Sequence, residues 1–404
     1  MRIRINKSIA CGTVKAPPSK SMAHRLLIAA AMCRGESVIR GISYCEDALA
    51  TVDCLRALGA EISITGDTAR VRGVDMKAAQ ASDELFCRES GSTLRFLLPI
   101  ALLSGNTARL TGAKRLIERP HGVYEDICRE KGLLFENDGA GITVKGRLTA
   151  GCYSIPGNVS SQFITGLLFA LAATGEESRI RITTGIESRS YIELTRAALS
   201  TFGVSVRWED GQTLFIEGNQ TLKPTVATVE GDYSGAVFTD CFNYLGGKVK
   251  LTGLNRESLQ GDRVYKELLP RLAGGFSEIN IEDCPDLGPV LFAFAAAKHG
   301  GRFYGTARLR IKESDRAAVM AKELLKLGVE LTVEENTVTV PPCTLHAPNE
   351  PLYGHNDHRI VMALSMLLTL LGGELDGAEA IRKSYPEYIE DIRKLGIEVF
   401  TYEA

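Results

Sequence analysis

PPSKSMAHR, residues 17–25, opens the first of a series of similar segments, and its reading organises the chain. Two prolines end whatever precedes them, since neither supplies a backbone N–H. Ser19 then stands at an N-cap position, with Lys20, Ser21, His24 and Arg25 on the first turns of a helix that runs on through LLIAAAMC. A helix N-terminus carries partial positive charge and free N–H groups. Cations there oppose the dipole, an arrangement that stability disfavours and a bound anion favours. A solvated first turn with two extended cationic side chains is the plain alternative at this point.

Working outward, the same order of elements recurs. Apolar helical segments read KSMAHRLLIAAAMC, STLRFLLPIALL, SSQFITGLLFALAA, SGAVFTDCFNYL, LGPVLFAFAAAK and DHRIVMALSMLLTLL. Short strand-and-turn segments follow them, with glycines at 41, 112, 185, 253, 305 and 377, spaced 71, 73, 68, 52 and 72 residues apart. Second, amphipathic helices come next and end at Gly59, Gly132, Gly203, Gly274, Gly328 and Gly396, a helix-stop signal. Hairpin signals sit at Gly139, Gly211 and Asn336. The spacing predicts six copies of a βαβαββ unit in an α/β (α+β) chain, grouped as two domains of three units each. Residues 15–229 would form one domain, and 1–14 with 230–404 the other, the strand RIRIN at residues 2–6 completing the latter. The chain then crosses between domains twice, near residues 14–18 and 229–232, which predicts a double hinge able to close on a ligand and exclude water.

Composition bounds the function. The 404 residues carry a net charge of −2, so any anion site is a local concentration of cations and nucleic acid or membrane surface is not an expected partner. Ten scattered cysteines without a CxxC pair read as reduced thiols of a cytoplasmic protein. The N-terminal stretch MRIRINKSIACGTVKAPP has no apolar run of the signal-peptide kind, and the greasy stretch at residues 360–371 is too short to span a bilayer. His355 and His358 form an HxxH pair without a third ligand group, so no metal site is expected, and no GxxxxGK[ST] loop is present.

The unit starts are unusually polar. The first offers Lys20, Ser21 and Arg25, and the second Glu89, Ser90, Gly91, Ser92, Thr93 and Arg95. The third offers Ser160, Ser161 and Gln162, and the sixth Asn356, Asp357, His358 and Arg359. Each alone is an ordinary helix cap; their recurrence at one topological position suggests a shared anion site. A second set precedes the second helices: Arg119, Ser188 with Tyr191, Lys312 with Glu313 and Arg316, and Lys383.

PPSKSMAHR, ESGSTLR, RLIERPHG, SSQF, SRSYIELT, VEGDYSGA, RIKESDR, NDHRIVMA and RKSYPEY together resemble the EPSP synthase family, in its order and spacing over essentially the whole chain. The resemblance implies two domains of three βαβαββ units, the enolpyruvyl transferase fold or inverse β-prism, joined by a double hinge. It implies transfer of the enolpyruvyl group of phosphoenolpyruvate to the 5-hydroxyl of shikimate 3-phosphate, on the route to chorismate and aromatic amino acids, with no cofactor. A cytoplasmic monomer is expected, and glyphosate is an expected competitor of phosphoenolpyruvate.

Residue by residue, the resemblance assigns Lys20, Ser21, Arg25, Ser160, Ser161, Gln162, Ser188, Asp286 and Lys312 to shikimate 3-phosphate. Lys20, Gly91, Arg119, Gln162, Arg316, Arg359 and Lys383 fall to phosphoenolpyruvate, and Asp286, Glu313 and Lys20 to proton transfer. Tyr191 is a weaker member of the shikimate 3-phosphate set, with a packing neighbour as the alternative. Two phosphates and two carboxylates require such a cluster, and arginine forks suit both anions. Glu89, Phe96 and Arg308 depart from residues common in relatives and put in question the shape of the phosphoenolpyruvate pocket and its glyphosate response; Gly91 rather than alanine keeps room there. UDP-N-acetylglucosamine 1-carboxyvinyltransferase shares this fold and chemistry, but a cysteine is expected in its loop before Arg119, where this chain has GAKRLIE. A non-catalytic anion-binding scaffold would lose its carboxylates, and Asp286 and Glu313 remain.

Overall fold

Glycine-punctuated α/β repeats build two compact units, Met1–Ser19 with Gly231–Ala404, and Lys20–Glu230. The computed structural model describes residues 1–81 and 84–402. Residues 15–19 group with the N-terminal segment, and the return crossing falls between Glu230 and Gly231. Each unit has its own apolar core.

Within Lys20–Glu230, three four-stranded sheets repeat one pattern. Leu85–Phe86 runs parallel to Gly105–Thr111, which pairs antiparallel with Gly141–Gly146, and Leu134–Asn137 closes the edge. Cys152–Ile155, Ser178–Ile182, Thr213–Ile216 and Val206–Trp208 follow the same order. So do Val226–Thr228, Gly35–Arg40, Thr68–Gly73 and Glu61–Thr65.

The other unit varies the pattern twice. Ser277–Asn280, Gly301–Tyr304, Thr337–Val340 and Thr332–Val333 make one regular sheet. In the next, Arg2–Ile5 lies between Gly373–Asp376 and Val399–Tyr402, filling the place of the inner hairpin strand. The third sheet, among the described residues, is the parallel pair Cys11–Lys15 and Lys248–Thr252. The fourth repeat thus lacks the hairpin expected of six equal copies: the helix Tyr265–Gly274 leads directly into Ser277–Asn280. The short spacing of 52 residues between Gly253 and Gly305 is its trace in the sequence.

The first helix of each repeat is apolar nearly all round and sits in a core, as a buried helix must. All nine residues of Gly288–Ala296 are buried, and twelve of the fourteen in His358–Leu371. Second helices keep an outer polar face. Five of them stop at a left-handed glycine, Gly59, Gly132, Gly203, Gly328 and Gly396, with φ of 100, 66, 84, 88 and 84°. Gly274 instead stays inside its helix, with Gly275 after it. No helix among the described residues is long and apolar enough to cross a membrane.

One close approach sets the site. The helices Gly91–Ala101 and Ser161–Thr174 meet at Gly166, where an added Cβ would lie 2.2 Å from the Arg95 carbonyl oxygen and 2.4 Å from the Tyr124 hydroxyl. Tyr124 donates to the Arg95 carbonyl at 2.7 Å, so the backbone there cannot retreat without breaking a buried bond. Gly166→Ala is expected to destabilise the protein by roughly 1–3 kcal/mol or more, through forced separation of the two helices. Urea unfolding checks this; an unchanged midpoint would show that the contact yields freely.

Candidate active site

The polar unit starts become helix N-termini with capped first turns. Ser90 accepts from Thr93 N at 3.2 Å and Ser160 from Gln162 N at 3.3 Å. Asp357 accepts from Arg359 N at 3.0 Å. Each unit of the protein carries its own charged set.

In Lys20–Glu230, Lys20 begins the helix Lys20–Ala31 and pairs with Asp47 at 2.7 Å. Arg25, 2% exposed, donates to the carbonyl of Ser21 at 2.7 Å and that of Tyr191 at 3.0 Å. Its other bonds go to the hydroxyls of Thr195 at 2.9 Å and Thr165 at 3.3 Å. All four partners are uncharged. Burial therefore lowers its pKa to about 10, because no anion balances the charge. Phe96 and Tyr191 lie under the guanidinium, at 5.2 and 5.8 Å. Tyr191 thus contributes a ring and a carbonyl, and Phe96 is an apolar floor.

Beside Arg25, His24 is fully buried and shares a chain of hydroxyls, His24 Nδ1 to Thr51 at 2.7 Å, Thr51 to Thr93 at 2.7 Å, and Thr93 to Ser90 at 2.8 Å. Burial and then the Lys20 and Arg25 cations hold it well below the usual imidazole pKa, so the ring stays neutral.

Around Gly91, the first residue of its helix, side chains crowd. A Cβ there would lie 2.7 Å from Arg119 Nη1 and 3.6 Å from Gln162 Oε1. Gln162 is held from both ends, accepting from Arg95 at 2.7 Å and donating to Ser92 at 3.0 Å. Arg95 also reaches the Pro120 carbonyl at 3.1 Å and lies over Phe163 at 4.7 Å. His121 is pushed down to about 4 by burial, then by Arg95 and Arg119. Ser160, Ser161 and Ser188 are buried at two further helix starts, Ser188 with a left-handed φ of 56°.

The second set, in Gly231–Ala404, is built on Arg316, the first residue of the helix Arg316–Leu325 and 1% exposed. Its Nε donates to Asp357 at 2.9 Å, Nη1 to Asp286 at 2.8 Å and Nη2 to Glu313 at 2.9 Å. These anions outweigh burial and raise its pKa. Asp286 also meets Lys312 at 3.2 Å and Arg359 Nη2 at 3.2 Å. Lys312 is held below its ordinary value, first by burial, with Arg308 and Arg316 adding to the effect. Arg359 further donates to the carbonyls of Asp286 at 3.2 Å and Ser234 at 3.3 Å. Lys383 Nζ lies 2.5 Å from the Asn356 carbonyl oxygen.

Within this unit Asp286, Lys312, Glu313, Arg316 and Arg359 form one network, with Lys383 joined to it through the loop before Arg359. Sequence reading missed Asp47, Asp262 and the role of Asp357. Asp262 is fully buried, accepts from the Ser234 hydroxyl, and is pushed up to about 7 by burial and by Asp286. Its sole sequence signal is an acid in an otherwise turn-like LQGDR stretch. His355, one half of the HxxH pair, lies 2.8 Å from the Glu323 carboxylate. Among the described residues no group of three or more His, Cys, Asp or Glu side chains could hold a metal ion. Chemically, buried cations of this kind suit anions, and Asp286 and Glu313 are carboxylates held among cations.

A family model described as EPSP synthase (3-phosphoshikimate 1-carboxyvinyltransferase) matches residues 5–392. A 3-phosphoshikimate 1-carboxyvinyltransferase of Clostridium kluyveri is 38% identical, covering 98% of each chain. Another, of Clostridium acetobutylicum, is 37% identical over 98% of each. Among solved structures, an EPSP synthase from Acinetobacter baumannii aligns over 100% of both chains with a TM-score of 0.79 at 21% identity. The enolpyruvyl transferase NikO from Streptomyces tendae covers 99% of this chain and 98% of its own, with a TM-score of 0.76 at 16% identity. Those two likenesses are of fold.

Asp262 yields a pH prediction. Its carboxyl has an ordinary value of 3.8 when unfolded and about 7 when folded. Between those values the folded state binds more proton than the unfolded one, so stability falls as pH rises through that window. Asp262→Asn removes this slope. The melting temperature of the parent minus that of the variant is expected to decrease from pH 5 to pH 7.5; a constant difference would contradict the buried, protonated carboxyl.

Proposed function

This chain belongs to the EPSP synthase (3-phosphoshikimate 1-carboxyvinyltransferase) family, and on that premise we propose how its residues carry out the family's reaction. The reaction moves the enolpyruvyl group of phosphoenolpyruvate to the 5-hydroxyl of shikimate 3-phosphate and releases phosphate. The observation that carries the assignment is Arg25, a buried guanidinium whose four partners are all uncharged oxygens. A phosphate supplies the missing anion. Lys20, Ser21, Ser160, Ser161, Gln162 and Ser188 join Arg25 around shikimate 3-phosphate, with Lys312 and Asp286. Lys20, Gly91, Arg119, Gln162, Arg316, Arg359 and Lys383 take phosphoenolpyruvate.

The chemistry needs paired proton movements. The 5-hydroxyl oxygen adds to C2 of phosphoenolpyruvate as it loses its proton and C3 gains one, giving a tetrahedral intermediate. A proton then leaves C3, the bond from C2 to the phosphate oxygen breaks, and the enol ether and phosphate depart. Asp286 takes the hydroxyl proton in this scheme, and Glu313 and Lys20 exchange protons at C3 and at the leaving phosphate. Arg316 supports both carboxylates: it bonds Asp286 at 2.8 Å and Glu313 at 2.9 Å, fixing where each points. Burial holds the Lys312 pKa below its ordinary value, and a phosphate dianion beside it would raise it again. In this reading the enzyme works as a cytoplasmic monomer without metal or organic cofactor, and glyphosate competes for the phosphoenolpyruvate position.

Purified protein is expected to release phosphate from phosphoenolpyruvate only with shikimate 3-phosphate present; release with UDP-N-acetylglucosamine instead would sink this reading. Glu313→Ala and Lys20→Ala are expected to lower turnover by about a hundredfold or more with the fold intact. Near-normal rates in either would remove its assigned role. Gly91→Ala directs a methyl at Arg119 Nη1, 2.7 Å away. It is expected to raise KM for phosphoenolpyruvate and reduce glyphosate inhibition, while KM for shikimate 3-phosphate stays near normal. Equal shifts in both KM values would place Gly91 elsewhere.

A further inference from the structure

The turn before the helix His358–Leu371 is unusual. His355 and Asn356 are consecutive left-handed residues, with φ of 49 and 53°, and neither is glycine. Such a pair persists only where its surroundings hold it. Three contacts do so. Glu323, fully buried on the helix Arg316–Leu325, accepts from Tyr353 N at 2.9 Å and lies 2.8 Å from His355 Nε2. Lys326 pairs with the same carboxylate at 3.0 Å. The His355 ring packs edge-on against Tyr353, 4.7 Å between centroids. At Gly354 an added Cβ would sit 2.4 Å from Val361 Cγ2, so the turn is pressed onto the helix it precedes.

This turn delivers three site groups. The Asn356 carbonyl meets Lys383 Nζ at 2.5 Å. Asp357 caps the helix at Arg359 N and accepts from Arg316 Nε, at 3.0 and 2.9 Å. Glu323 sits two helical turns beyond Arg316 on one helix, so a single rigid element anchors both ends of the arrangement.

We propose that Glu323 and His355 are positioning residues for phosphoenolpyruvate: their buried contact locks the left-handed turn, and the turn places Lys383 and Arg359. This rests on the assignment of Lys383 and Arg359 to that substrate. A buried carboxylate holding a strained loop is otherwise a costly way to secure a surface turn, since burial of charge needs full pairing.

Steady-state kinetics of the full chain test it with Glu323→Ala, Glu323→Gln, Lys383→Ala and the Glu323→Ala/Lys383→Ala pair. Glu323→Ala is expected to raise KM for phosphoenolpyruvate on the order of tenfold, with KM for shikimate 3-phosphate within about twofold. Glu323→Gln, which keeps an acceptor for Tyr353 N, recovers most of the loss. If Glu323 acts through Lys383, the double variant is scarcely worse than Lys383→Ala alone. Full multiplication of the two effects, or a lowered melting temperature with both KM values unchanged, overturns the proposal. Should Glu323→Ala fail to fold, His355→Ala removes the same contact and is expected to show the same selective KM change; its absence overturns the proposal equally. Lys383→Ala with normal KM for phosphoenolpyruvate would instead remove the substrate assignment, and this proposal with it.

Discussion

The guanidinium of Arg316 is the tie on which the charged half of the Gly231–Ala404 unit depends. It is buried, and its three nitrogens meet carboxylates from three separate places in the chain, Asp286, Glu313 and Asp357. No one of those acids could be buried so close to the others without it. Removing one member of such a cluster strands charge in the interior, typically at a cost of about 3–5 kcal/mol. Asp286 and Glu313 are both held in direction by Arg316.

The Lys20–Glu230 unit is arranged on the opposite principle. Arg25 is as deeply buried as Arg316, yet its hydrogen bonds go only to hydroxyls and carbonyls. Neutral His24 beside it adds no charge. A cation held this way has its geometry fixed and its charge uncompensated, which suits a site whose anion comes and goes. One unit thus carries carboxylates already balanced by cations, and the other carries a positive charge that waits.

Much of this was legible in the chain itself, for identifiable reasons. Glycines at helix ends mark left-handed stops, so Gly59, Gly203 and Gly396 could be placed without knowing any partner. The polar starts at Ser90, Ser160 and Asp357 are local chemistry: a short side chain and the amides two or three residues on. What failed was anything set by tertiary pairing. Asp47 and Asp262 matter because of residues distant in sequence, and an isolated acid on a helix or turn carries no mark of that. Glu323 reads as one more charge on an amphipathic helix, yet it is fully buried. The missing hairpin of the fourth repeat lay between these cases. Its shortened spacing was visible, but regular order in the other copies overrode it.

The strand Arg2–Ile5 carries a consequence for how the chain is made. Its partners are Gly373–Asp376 and Val399–Tyr402, so a strand made before the Lys20–Glu230 unit pairs with two made well after it. The continuous stretch Lys20–Glu230 has all three of its sheets complete within itself. It can gain its core during synthesis, while Arg2–Ile5 stays an open edge until Gly373–Asp376 and Val399–Tyr402 have been made. At equilibrium the long closure costs little, since each doubling of loop length adds only about 0.6 kcal/mol. The burden is one of time: until those strands emerge, the unit that holds Asp286 and Glu313 cannot be finished, and an unpaired strand with alternating apolar residues must be kept from other company.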